Sequence, residues 1–292
     1  MRFSIALCIF LLPVGAAFAD ELDDNYAAIK QAEQKKDPDQ VTKLALETSK
    51  SAKAEAAQKQ PSDASEVEHW KQRVEFAKEV EDFAEYSLST TAIANPSKAV
   101  ELVDTLIQIN PKSKYLGACA STYLQALGPK RQTEGAQKIL NGDPNSEEAL
   151  FAMASGTMNG AYATRLVNVM KSKAKPEGMS EGDWDKKKTL FLGQGYYIAG
   201  AAACTKSTWT DCDRDLRAAL AYVSKEPAVA GPTYFYLGLA DYNLSKLTGD
   251  RAKLTEAEKF SEQSAAIAGP TQAQAQKNVA IMKQELAGGG RR

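Results

Sequence analysis

The chain has one histidine, His69, in 292 residues, and that scarcity removes most general-base and nucleophile–base pairings at once. No sign of charge is in excess. Lys plus Arg number 36 against 37 Asp plus Glu, so the basic footprint that nucleic-acid binding needs is missing and no nucleic-acid partner is expected. Beyond the first 19 residues no run approaches the ~20 apolar residues of a spanning helix, so no membrane span is expected once they are removed. Cysteine is sparse. The spacing of Cys204 and Cys212 is wide for a zinc knuckle and the lone histidine is distant, so no metal is expected. Gly193-Gln194-Gly195 has neither a third glycine nor a following Lys-Ser/Thr, so it reads as helix packing rather than a phosphate loop, and no cofactor is expected.

What is present begins with a leader pattern. Arg2, the apolar run Ile5 to Val14 and Ala17-Phe18-Ala19 have the form of a secretory signal peptide over residues 1–19, expected to be cut before Asp20 and to leave the protein in the periplasm or outside the cell; the alternative is an uncleaved anchor helix. In such a compartment thiols oxidise. Cys204 and Cys212 flank the turn Thr205 to Asp211, which suits a short-loop disulfide; the alternative is two separate buried thiols. Cys119, in Gly117-Ala118-Cys119-Ala120, reads as a small buried apolar residue.

The rest reads as helices. Residues 20–95 form an N-terminal helical region with three segments. The first ends near Asp37-Pro38; the second starts at Asp39 and carries a polar, solvated half over Lys53 to Gln60; the third opens on a Ser65/Glu68 capping box and runs to about Ala92. Pro96 opens a further helix that ends at Asn110-Pro111. Residues 96–270 then repeat. Leu-Gly pairs recur at Leu116-Gly117, Leu192-Gly193 and Leu237-Gly238, with a fourth copy at Phe151-Ala152-Met153-Ala154, and prolines close the units at intervals of 33 (Pro111 to Pro144) and 32 (Pro144 to Pro176). First helices fall near 113–127, 146–160, 186–204 and 232–247, second helices near 131–141, 161–174, 212–225 and 253–268. A last helix over 271–287 has the polar outer face of a cap, and 288–292 is expected to be a disordered tail.

Leu237, Gly238, Tyr242, Ala257, Ser264 and Pro270, and again Leu192, Gly193, Tyr196 and Pro227, resemble the tetratricopeptide repeat (TPR), in secreted bacterial form. The resemblance implies an all-α fold, a right-handed α-solenoid of antiparallel helix pairs with about twelve or thirteen helices. The turns at Ser207 to Asp213 and Lys246 to Lys253 are stretched relative to that pattern, and Pro176 to Asp185 lengthens a link. Family groove positions, carried over, fall on Lys114, Phe151, Ser155, Asn159, Gln194, Tyr197, Phe235 and Asn243.

Three functions follow as expectations. The first is a non-enzymatic scaffold that holds a protein or peptide segment in its groove, with the alternative that Phe151 and Phe235 simply pack between repeats. The second is an envelope-assembly accessory working through its end helices, above all the lysine-rich Lys43 to Lys59. An envelope glycan-acting enzyme would need converging carboxylates, for which there is no motif; Glu147-Glu148 and Asp241 read as solvated helix faces. Trp184 and Trp209, both in apparent insertions, are either partner contacts or lids over the nearest helix end.

Overall fold

The computed structural model describes residues 15–288, with side chains from 21 onward. The expected leader (1–19) and tail (288–292) lie, apart from their inner ends, outside the described residues. Among the described residues every regular element is helical: thirteen α-helices and one 3-10 turn, Pro96–Lys98. The chain divides into two compact units, the first running to Leu127 and taking in Asn141–Asp143, the second comprising Gly128–Leu140 and everything from Pro144 on.

The first unit holds α1 (Gly15–Lys35), α2 (Pro38–Ala56), α3 (Ala64–Ala94), α4 (Ala99–Ile109) and α5 (Leu116–Leu127). Helix α2 starts where it does because the Asp37 carboxylate accepts the Gln40 N–H (3.1 Å) and Pro38 fills the first position, where its missing donor costs nothing. Helix α3 departs from the expected capping box. Its cap is Asp63, whose carboxylate accepts both the backbone N–H (2.9 Å) and the hydroxyl (2.7 Å) of Ser65, so the serine donates instead of capping. The expected solvated stretch, Lys53 to Gln60, is exposed at six of its eight residues, with Glu55 as the buried exception. Just before it Ala52 is buried, where alanine lets α3 approach closely, and Glu55 is buried because Arg73 of α3 pairs with it (3.1 Å). Cys119 is buried, and burial pushes its thiol up to about 11.

Helix α6 (Gln132–Gly142) leads into the second unit, which holds α7 (Glu147–Thr157), α8 (Gly160–Ser172), α9 (Glu181–Thr205), α10 (Trp209–Val223), α11 (Pro227–Thr248), α12 (Arg251–Ala266) and α13 (Gln272–Gly288). From α7 to α13 each helix packs on the next, and α9 also touches α7 and α11. Glycine sets the approach at two of these contacts. A Cβ on Gly193 would lie 2.8 Å from the Val223 side chain of α10, and one on Gly238 would lie 3.2 Å from the Ala257 carbonyl oxygen and 3.3 Å from the Ser261 nitrogen of α12. Leu192 and Leu237 beside them are buried.

Trp184 is not on an insertion. Ser180 caps α9 by accepting the Asp183 N–H (3.1 Å), so the helix begins before the tryptophan and buries it in its first turn. Trp209 opens α10 and lies half-buried against the Cys204–Cys212 region. On α13 the expected inner face holds at Ala275 and Met282, both buried, with Val279 and Leu286 half-buried.

Candidate functional site

The second unit holds two ion clusters built on buried carboxylates and, among its pockets, one with a mixed apolar and charged lining. Asp241 of α11 is fully buried and is met by Arg217 of α10 and Lys253 of α12, each at 2.8 Å. Arg217 also reaches Asp213 (2.7 Å) and Glu256 (2.9 Å). Burial pushes the Asp241 carboxyl up to about 6, with Asp213 adding to the rise while Lys253 and Arg217 oppose it. Glu147, at the start of α7, is buried as well and receives Lys173 and, at 2.9 Å, Lys187, which also holds Glu148.

These carboxylates are therefore not solvated faces. Sequence separation hid the partners, since the cations come from helices 12 to 40 residues away. Each carboxylate is bonded to cations from neighbouring segments, so the clusters tie helices together.

Burial by itself would push Glu147 up, but hydrogen bonds from Lys173 and Lys187 outweigh it and hold its carboxyl below the ordinary value. A carboxyl depressed in the folded state stabilises above its unfolded pKa, and that stabilisation is lost as pH falls through the folded one. Glu147→Gln is therefore expected to lower Tm at neutral pH, with the gap to the parent closing below about pH 4. Thermal melts across acid pH check this. A gap that stays constant would refute the assignment.

A disulfide joins Cys204 at the end of α9 to Cys212 in α10, with Cα atoms 5.1 Å apart, settling the alternative left open by the spacing. It lies in an apolar cluster with Leu216, Leu237 and Ala240. The bridge is compatible with an oxidising compartment. Closing so short a loop contributes roughly 2.5 kcal/mol, so a Cys204→Ala/Cys212→Ala double variant is expected to lose about that much in denaturant unfolding. Alkylation followed by mass measurement, with and without reductant, checks the bridge itself: equal thiol counts would remove it.

The pocket, of about 480 Å³, lies between the first half of α9, the end of α10 and the start of α11. Leu190, Tyr222, Val223, Ala228 and Val229 give it an apolar lining, Gln194 an amide, and Asp185, Lys186 and Glu226 charge. Leu190 is 51% exposed, a large aliphatic side chain left open to water. Nothing about Leu190 stood out in the sequence, although it lies four residues before Gln194 and so on the same helix face.

Of the expected groove residues, only Gln194 lines this pocket. Tyr197 and Tyr236 pack on the disulfide cluster, with Phe235 edge-on to Tyr236 (5.4 Å). Phe151 stacks on Phe191, ring centroids 4.7 Å apart. Ser155 donates to the Phe151 carbonyl of its own helix (2.7 Å), and Asn243 to that of Leu239 (2.8 Å). Asn159 is the N-cap of α8, accepting the Ala161 N–H at 2.9 Å. Lys114 belongs to the first unit and pairs with Asp82 (2.7 Å).

His69, in the first turns of α3, is exposed. Among the described residues no helix is long and apolar enough to cross a membrane. Comparison with family models, curated proteins and solved structures gives no match to any.

Proposed function

We propose that the chain is a non-enzymatic protein-interaction scaffold of the cell envelope, an exported right-handed TPR-like solenoid of antiparallel helix pairs that holds a protein or peptide segment. The order of packing supports the solenoid: each helix from α7 to α13 lies on its successor, and α9 also touches α7 and α11. The Leu-Gly pairs support the repeat. Gly193 and Gly238 face the second helices α10 and α12 at close approach, as small residues of a first helix in that repeat would.

The observation that carries the scaffold reading is the open apolar pocket with Leu190 half exposed beside Gln194 on α9. A large exposed aliphatic side chain in a concave, mixed lining is the surface a partner segment covers. Affinity capture from the protein's own envelope extract, with the parent and a Leu190→Ser/Gln194→Ala variant confirmed folded by circular dichroism, tests it. An identified partner held by the parent and lost by the variant is expected. Equal retention would move the site elsewhere.

One observation favours the accessory reading through end helices: Ile281 of the last helix, α13, is 50% exposed, and Leu46 of the lysine-rich α2 is also exposed. Leu46→Ser and Ile281→Ser in the same capture separate the two readings.

A further inference from the structure

We infer that the pocket at α9, the end of α10 and the start of α11 takes a peptide segment in which an apolar side chain is flanked by arginine or lysine. This rests on the scaffold reading and adds the partner's chemistry. The argument starts from two carboxylates. Asp185 on α9 and Glu226 before α11 both line the pocket, and neither side chain has an ion-pair or hydrogen-bond partner among the described residues. Glu226 stands at the N-cap position of α11 yet makes no side-chain cap hydrogen bond, so its carboxylate remains free for another donor. They contrast with Asp241 and Glu147, which are saturated by cations.

The cation lining the pocket does not cancel them. Lys186 lies within 3.9 Å of Asp183 on its own helix, so its charge is partly countered away from the pocket. An anionic segment would meet two unpaired carboxylates, and a cationic one would complete them. Between them Leu190, Tyr222 and Val229 offer apolar surface, which selects an aliphatic or aromatic side chain at the middle of the segment. At about 480 Å³ the pocket is wider than one side chain. It leaves room for main chain, and the Gln194 amide supplies both a donor and an acceptor for it.

The test is fluorescence anisotropy with the full-length protein and three labelled nonapeptides: a central leucine flanked by two arginines, the same leucine flanked by two glutamates, and the arginine peptide with serine in place of leucine. The arginine–leucine peptide is expected to bind about tenfold more tightly than either counterpart at low salt, with the advantage over the glutamate peptide shrinking at about 0.5 M salt. In Asp185→Asn/Glu226→Gln, two exposed changes that preserve shape, that advantage should disappear. Leu190→Ser should weaken the arginine–leucine peptide to the level of its serine counterpart. If both charged peptides bind alike and Leu190→Ser weakens both, the charge inference falls while the scaffold reading stands. If no peptide binds but the envelope capture still yields a Leu190-dependent partner, the inference again falls alone; if neither binds, both fall.

Discussion

Asp241→Ala is expected to cost about 3 kcal/mol at neutral pH, enough to remove a large share of a domain's net stability. The carboxylate is fully buried and accepts hydrogen bonds from Arg217 and Lys253, which lie on the two neighbouring helices. Removing it leaves two cations facing an apolar methyl group. The loss sits at the low end of the usual 3–5 kcal/mol, about 3, because Arg217 and Lys253 keep Glu256 and Asp213, both more exposed. Asp241→Asn keeps the shape and removes the titration. Burial raises the parent carboxyl to about 6 from an ordinary 3.8, so the folded chain binds this proton more tightly than the unfolded chain. The proton-linked part of its contribution, separate from the ion pairing that Asp241→Ala removes, is full below the unfolded value and is lost as pH rises through about 6. Parent stability measured against Asp241→Asn should therefore be higher at acid pH than at neutral pH, the reverse of the Glu147→Gln comparison. Urea melts at two pH values decide it, and a trend of the same sign for both variants would overturn the assignment.

Gly238→Val is expected to cost about 3 kcal/mol or more, and Gly238→Ala about 1–2. The sign for alanine is not given in advance, because replacing glycine in a helix gains up to about 1 kcal/mol of propensity. Contact decides it. The new Cβ would sit 2.5 Å from the Ser261 hydroxyl and within 3.3 Å of two backbone atoms of α12; the hydroxyl can rotate, but the backbone atoms move only if the helix does. Gly182 is the control: it lies in α9 with nothing within 4 Å of an added Cβ, so Gly182→Ala should be neutral or slightly stabilising. Equal effects at the two glycines would show that close approach is not what Gly238 provides.

Helix positions were legible because they depend on local signals. Proline, small-residue pairs and apolar periodicity placed α7 to α13, although α9 and α11 each begin five residues earlier than expected, and the flanking turn marked Cys204 and Cys212 as neighbours. The ion clusters were not legible. Arg217 and Asp241 are 24 residues apart, and Glu147 and Lys187 are 40 apart, so only packing brings them together. For the same reason Glu226 and Val229, from the α10–α11 link and the α11 start, could not be joined to Leu190 before the fold was known. Trp184 misled through its polar neighbours Asp183 and Asp185, which belong to the solvated side of a helix already begun.

The packing of the second unit, each helix on its successor, also governs how the chain acquires structure. Contacts between sequence neighbours close short loops, which favours fast formation of local contacts. A chain emerging N-terminus first can dock α8 on α7 and then α9 on both before α13 has been made. Docking in the order of synthesis is therefore open to this unit, since each helix finds its main partner next to it in the chain.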